Sequence, residues 1–178
     1  MHDTILKFWF EEIDEADWWK KDPTFDQLIA SRFSDLHRQA KDCELYSWRK
    51  TPEGRLAEII LLDQFSRNIF RETPEAFAQD PLAVALAQEA INCGADLALP
   101  ENKRSFLYMP FMHSESLVIH ALAESCFKTL SKQSTLEFEL KHKAIIERFG
   151  RYPHRNKVLN RCSTDEELEF LQKPGSSF

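Results

Sequence analysis

Three short segments of the chain place ionisable and amide side chains inside runs that otherwise read as interior. Leu61 to Arg71 carries Asp63, Arg67, Asn68 and Arg71; Tyr108 to Glu115 carries His113 and Glu115; Phe149 to Asn156 carries Arg151, His154, Arg155 and Asn156. Such groups are costly to bury unless they are paired or face a ligand. Guanidinium forks suit a carboxylate or phosphate, and an amide adds a directed donor. Arg67, Asn68, Arg71, Arg151, Arg155 and Asn156 are therefore the candidate binding set for a small anionic ligand or a peptide carboxylate. An imidazole oriented by a carboxylate suits proton transfer, which makes His113 or His154, with Glu115 or Asp63, the candidate acid/base groups of an enzyme. A third reading needs no ligand, only a buried polar network that fixes helix register. A closed network favours that third reading, an open pocket lined by unpaired Arg favours anion binding, and a His bonded to a carboxylate at a pocket wall favours catalysis.

Other chemistries find less support. His113 and Glu115 are two potential metal ligands where zinc takes three or four, and there is no H-E-x-x-H, so neither a metal nor a cofactor is expected. The sequence contains no G-x-S-x-G, reactive-cysteine signature or phosphate-cradling Gly loop. His142 lies on an apolar stripe and reads as a hydrogen-bonded core histidine. Between Lys141 and Arg161, seven basic residues face Glu147 alone, with Phe149 and Tyr152 interleaved. That mixture is the kind that binds single-stranded nucleic acid. On a chain of net charge -6 it is expected instead to answer the N-terminal acids Glu11 to Asp17, so nucleic acid is not an expected partner. Arg49, on a polar loop, is expected to be inert.

Helices must position these groups. Asp22-Pro23, Thr51-Pro52-Glu53, Thr73-Pro74-Glu75 and Asp80-Pro81 each set a capping oxygen before a Pro at the first helical position. Ser114 or the residue before it, and Ser163 or Thr164 with Glu166 or Glu167, add two more starts. Phe25, Leu28, Ile29, Phe33, Leu36 and Ala40 form one stripe, and Phe138, His142, Ile145, Ile146 and Phe149 another that ends at Gly150. Leu56 to Phe65 is apolar almost all round and should be the central helix. If that helix continues, Asp63, Arg67 and Arg71 share one face at i, i+4 and i+8, with Asp63 and Arg67 paired. His113 and Glu115 are expected at the start of the next long helix. The Ala-rich run Leu82 to Ile91, closed by Cys93-Gly94, should pack closely on a neighbour.

With 178 residues, 43% of them hydrophobic, 14 Phe and only 4 Gly, the chain fits one helical domain over residues 1–178, with a frayed tail from about 174 to 178. The 4 Cys are widely spaced without C-x-x-C, and read as reduced thiols. Met1-His2-Asp3 lacks a basic signal-peptide start, and the longest apolar run, Leu82 to Ala87, falls far short of the roughly 18 residues of a membrane span. A cytoplasmic protein without membrane partners is expected.

The motifs also resemble a family. Phe8-Trp9-Phe10, Trp18 with Phe25-Asp26, Leu56 to Asn68, Phe106 to Glu115 and Arg148 to Asn156 together are similar, over nearly the whole chain, to bacterial domain-of-unknown-function family 924. Ser66 stands where that pattern usually has Pro, Cys43 and Asn160 where it has Gly, and Tyr152 where it has Phe. The resemblance implies an all-α fold of antiparallel helix hairpins stacked as a tetratricopeptide-like right-handed superhelix. It implies no particular activity.

Overall fold

The computed structural model describes residues 1–177, all helix, turn and loop, with no strand among them. In chain order the helices are α1 His2–Lys7, α2 Pro23–Lys41, α3 Pro52–Ile60, α4 Ser66–Ile69, α5 Asp80–Asn92, α6 Glu101–Met112, α7 Leu117–Phe127, α8 Gln133–Phe149 and α9 Asp165–Leu171. Local signals set several ends where expected. Asp22 accepts from the Thr24 and Phe25 amides at the start of α2, and Thr51 Oγ1 from the Gly54 amide at the start of α3. Thr164 and Glu167 form a reciprocal capping box on α9, while Gly150, at φ 69°, stops α8 in the left-handed conformation that glycine adopts without steric cost.

The central helix is central. Every residue from Leu56 to Phe65 is buried, and α3 packs against α1, α5 and α6. Phe65 meets Phe33, Trp9 and Phe8 at ring-centroid distances of 5.0, 5.4 and 6.0 Å, so the first turns of the chain close one end of the core. Later helices pack in sequence, α5 on α6, α6 on α7 and α7 on α8. A smaller cluster of Ile145, Ile146 and Tyr152, with Phe149 and Phe170, seats the C-terminal segment.

Between α3 and α4 the helix widens into a π turn over Leu61–Phe65. Such a bulge inserts a residue and rotates everything after it, and bulges of this kind are frequent at functional sites. The helix then ends at Ile69, so Arg71 lies in the following turn rather than on the face of Asp63 and Arg67.

Other elements depart from expectation. His113 is the C-cap of α6, and α7 begins only at Leu117, so His113 and Glu115 sit in the connecting loop rather than in a first helical turn. On α8 the buried face carries Glu139, His142, Ile145 and Ile146, while Phe138 is exposed. Thr73 Oγ1 donates backward to Phe70 O instead of capping. Arg49 is not inert: its Nε and Nη2 clamp the fully buried Glu58 carboxylate at 2.7 and 2.6 Å.

Cys126 is buried and Cys43, Cys93 and Cys162 are exposed, all four as free thiols. Cys43 and Asn160 both adopt positive φ, 59° and 53°. The expected frayed tail ends in Phe178, outside the described residues; before it, Ser176 is buried and donates to Leu171 O at 3.1 Å. Among the described residues no helix is long and apolar enough to cross a membrane.

Candidate functional site

The candidate residues separate into three clusters. The first joins the π turn, the α6–α7 loop and the start of α5. Asp63, wholly buried, lies with Oδ1 2.7 Å from His113 Nδ1 and Oδ2 against the Gln64 amide. Burial pushes the Asp63 carboxyl up, but His113 and Arg67, with hydrogen bonds from His113 and Gln64, outweigh it and hold the group well below the usual carboxylate range. An ionised carboxylate only accepts, so the His113 proton facing it sits on Nδ1. In the neutral ring Nε2 then keeps its lone pair, and it makes no hydrogen bond to a described residue, the side-chain bond of His113 being the one through Nδ1.

Beside this pair, Arg67 reaches Asp63 O at 2.9 Å and Asp63 Oδ1 at 3.5 Å, as the i, i+4 spacing suggested. Its bidentate partner is another residue, Asp80, bonded by Nη1 and Nη2 at 2.9 and 3.1 Å. Burial opposes the Arg67 charge, but Asp80 and Asp63 more than restore it and raise the group above its ordinary value. The sequence marks Asp80 as a helix cap; in fact Gln79 occupies the cap position and Asp80 turns to the arginines. Arg155 shares it through Nη1 at 3.2 Å, while Arg155 Nη2 donates to His113 O at 3.0 Å. Its guanidinium lies between the rings of Phe77 and Tyr152, 4.5 and 4.6 Å from their centroids. Burial, then the charge of Arg67, lowers the Arg155 pKa from its ordinary value.

Glu115 closes this cluster. Its Oε1 accepts from the Tyr152 amide at 2.7 Å, and Arg161 grips both its oxygens at 2.6 and 2.9 Å. Arg161, counted in the sequence only as part of a basic run, is thus a member of the site.

A second cluster holds Asn68 and Arg71. Both donate to Asp26 in the first turn of α2, Asn68 at 2.8 Å and Arg71 through Nε and Nη2. In the third, Arg151 grips Glu167 at 2.7 and 2.8 Å, and Asn156 donates to Glu167 and Ser163. The six candidate binding residues therefore meet only in pairs, Arg67 with Arg155, Asn68 with Arg71 and Arg151 with Asn156, and not as one set. His154 is half-buried beside Tyr152, with ring centroids 5.6 Å apart, and desolvation with the charge of Arg155 pushes it down to about 3.

The basic run is answered by nearby acids: Arg148 by Glu166, Arg151 by Glu167, Arg161 by Glu115 and Lys143 by Glu124. The N-terminal acids pair elsewhere, Glu12 with Arg32 and Glu15 with Lys132. Ser66 and Tyr152 both use their side-chain oxygen. Ser66 Oγ donates to Leu62 O and lies 2.7 Å from His37 Nε2, and the Tyr152 hydroxyl donates to Met112 O at 2.6 Å.

An open cleft of about 440 Å³ runs along the first cluster. Asp80, His113, Ser114, Glu115 and Arg155 form its polar side, and Pro74, Phe77, Ala78, Pro81, Val84 and Leu159 the apolar one. That volume suits a small molecule with an apolar body and one polar end. No group of three or more metal-ligating side chains gathers among the described residues.

Comparison with known proteins follows the same outline. The family model for a bacterial protein of unknown function, DUF924, matches residues 5–175. The solved structure of the protein of unknown function ATU0120 from Agrobacterium tumefaciens is similar at 40% identity and TM-score 0.91, covering 96% of this chain and 96% of that one. None of the curated proteins matches the chain.

Proposed function

This chain belongs to the bacterial DUF924 family, and from that premise we propose that its cleft is a small-molecule site at which His113, positioned by Asp63, transfers a proton. The observation that carries the proposal is the 2.7 Å contact between a buried carboxylate and an imidazole that lines the cleft. Asp63 fixes the tautomer and stabilises the imidazolium once formed, which is the arrangement a general base needs. Arg155 and Glu115, on the same wall, orient the substrate. Proton transfer is favoured over anion binding alone, because Arg67, Arg71, Arg151 and Arg155 each already have a carboxylate partner. The same pairing favours a second reading, in which the clusters serve only as internal architecture.

Diethyl pyrocarbonate separates the two, since it acylates an unprotonated imidazole nitrogen that solvent can reach. At pH 7 His113 should be modified well before the buried His37, His120 and His142. A panel of small esters and carbon acids should then yield turnover that is absent in His113→Gln. A folded protein whose His113 resists modification would leave the architectural reading. On the same footing we read the chain as one tetratricopeptide-like domain, supported by the sequential packing of α5 to α8, in a cytoplasm that keeps its thiols reduced.

A further inference from the structure

The charges around the cleft cancel while His113 is neutral. Arg67, Arg155 and Arg161 stand against Asp63, Asp80 and Glu115, with Arg67 and Arg155 both on Asp80 and Arg161 on Glu115 at 3.2 Å or less. Other titratable groups pack nearby, and Lys21 acts on His154. His142 of α8, its ring centroid 6.4 Å from that of His113, is pushed by burial to about 3, and His154 also to about 3. Burial pushes the Tyr152 hydroxyl up, so it stays protonated. His120 and Glu139 are bonded to each other, as are Lys143 and Glu124.

Two features of the polar wall point to an oxygen ligand. Arg155, with its side chain only 7% exposed, bonds through Nη1 and Nη2, but its buried Nε–H has no acceptor among the described residues. A buried donor without an acceptor carries a desolvation cost, which a ligand oxygen removes once the Arg155 side chain turns its Nε–H toward the cleft. His113 offers the second contact, because its Nε2 becomes a donor once it takes a proton.

We infer that the cleft takes a monoanionic carboxylate carried on an apolar body of aryl or short-alkyl size, and that binding places one proton on His113. The inference rests on the reading of His113 as the acid/base group of the cleft. One added negative charge needs one added positive charge to keep a partly buried site neutral. The imidazolium supplies it, with Nδ1–H still on Asp63 and Nε2–H donating to the ligand. A dianion would remain half uncompensated, which is costly in a low-dielectric cleft. A neutral amide would draw no proton. The apolar side, from Pro74 and Phe77 to Leu159, holds the rest of the molecule.

Calorimetric titration of the wild-type chain with phenylacetate and hexanoate, in two buffers of different protonation enthalpy, reads both binding and proton uptake. Acetate, phenylacetamide and inorganic phosphate serve as comparison ligands. At least one of the two larger carboxylates should bind more tightly than all three comparisons, with net proton uptake at pH 7. Its affinity should fall about ten-fold per pH unit on the alkaline side, as linkage to one proton requires. His113→Gln should abolish the proton uptake, while His2→Gln should not change it. The buffer comparison on the unaltered protein stands even if His113→Gln fails to fold. The inference is overturned if neither carboxylate binds, if binding takes up no proton, or if phenylacetamide or phosphate binds as tightly. Any of these results with His113 still reactive toward diethyl pyrocarbonate discards the carboxylate and keeps the acid/base reading; an unreactive His113 in the folded protein discards both.

Discussion

Arg67 grips Asp80 with both terminal nitrogens, at 2.9 and 3.1 Å, although a same-helix carboxylate, Asp63, lies four residues back at 3.5 Å. The π turn at Leu61–Phe65 is the reason. It shifts the register after Asp63, so the guanidinium plane meets the α5 carboxylate squarely and Asp63 is left to His113.

Removing Asp80 should therefore be costly. Asp80→Ala leaves Arg67 and Arg155 without their shared partner and should destabilise by about 3–5 kcal/mol, the cost of stranding buried charge. Double-mutant cycles in urea should give Arg67 a larger coupling to Asp80 than to Asp63. Equal couplings would contradict the geometry.

Asp26 tests the division into clusters. Asp26→Asn and Arg71→Ala should lower the urea midpoint, since Asp26 is the anchor of Asn68 and Arg71. Neither change should alter the affinity of the cleft for phenylacetate or hexanoate, whereas Arg155→Ala should weaken it. A matching loss in Arg71→Ala would rejoin what the structure separates.

Arg49→Ala should cost about 3 kcal/mol or more, because it strands a fully buried Glu58. Gly54→Ala should also be severe. A methyl group there would sit 2.1 Å from Trp48 O, a backbone atom with little freedom to move. At least about 2 kcal/mol is expected. Gly150→Ala meets open space and should cost about 1 kcal/mol, from its φ of 69° alone. Thermal melts of these two glycine variants separate collision from backbone strain.

Acid should destabilise the fold in a defined window. Burial, with the charge of Lys41, pushes His37 down to about 4; burial puts His142 at about 3, and burial with Arg155 puts His154 at about 3. The same imidazoles titrate near pH 6.5 in the unfolded chain, so between about 6.5 and 4 the unfolded state binds protons that the folded state does not. Their contribution is complete above pH 6.5 and is lost as pH falls toward 4 and 3. Glu167, held at about 2 chiefly by Arg151, extends the loss below pH 4.5. The urea midpoint should drop between pH 7 and 4.5, with a shallower slope in His37→Gln. A flat profile over that range would show that these histidines are not buried neutral.

What could be read along the chain was what short-range physics decides. Pro23, Pro52, Gly94 and Gly150 mark helix ends through φ and a missing N–H, and the apolar run at Leu56 to Phe65 announces burial on every side. Asn160, a residue type that tolerates the left-handed region, takes it at φ 53°.

The pairings were decided only by the tertiary fold. Asp63 and His113 are fifty residues apart, and Arg155 and Asp80 seventy-five. Asp26, Glu167 and Arg161 look in sequence like ordinary solvated charges of a helix turn or a basic run. One signal pointed toward the acids that answer them: the basic run needed partners, and Glu115, Glu166 and Glu167 lie nearer to it than the N-terminal acids do. Periodicity places a charged residue on a face but not opposite a partner, and one inserted residue in a π turn rotates that face. Which carboxylate each guanidinium takes, and which imidazole nitrogen is left for a ligand, is settled only when α4, α5 and the loop after α6 pack together.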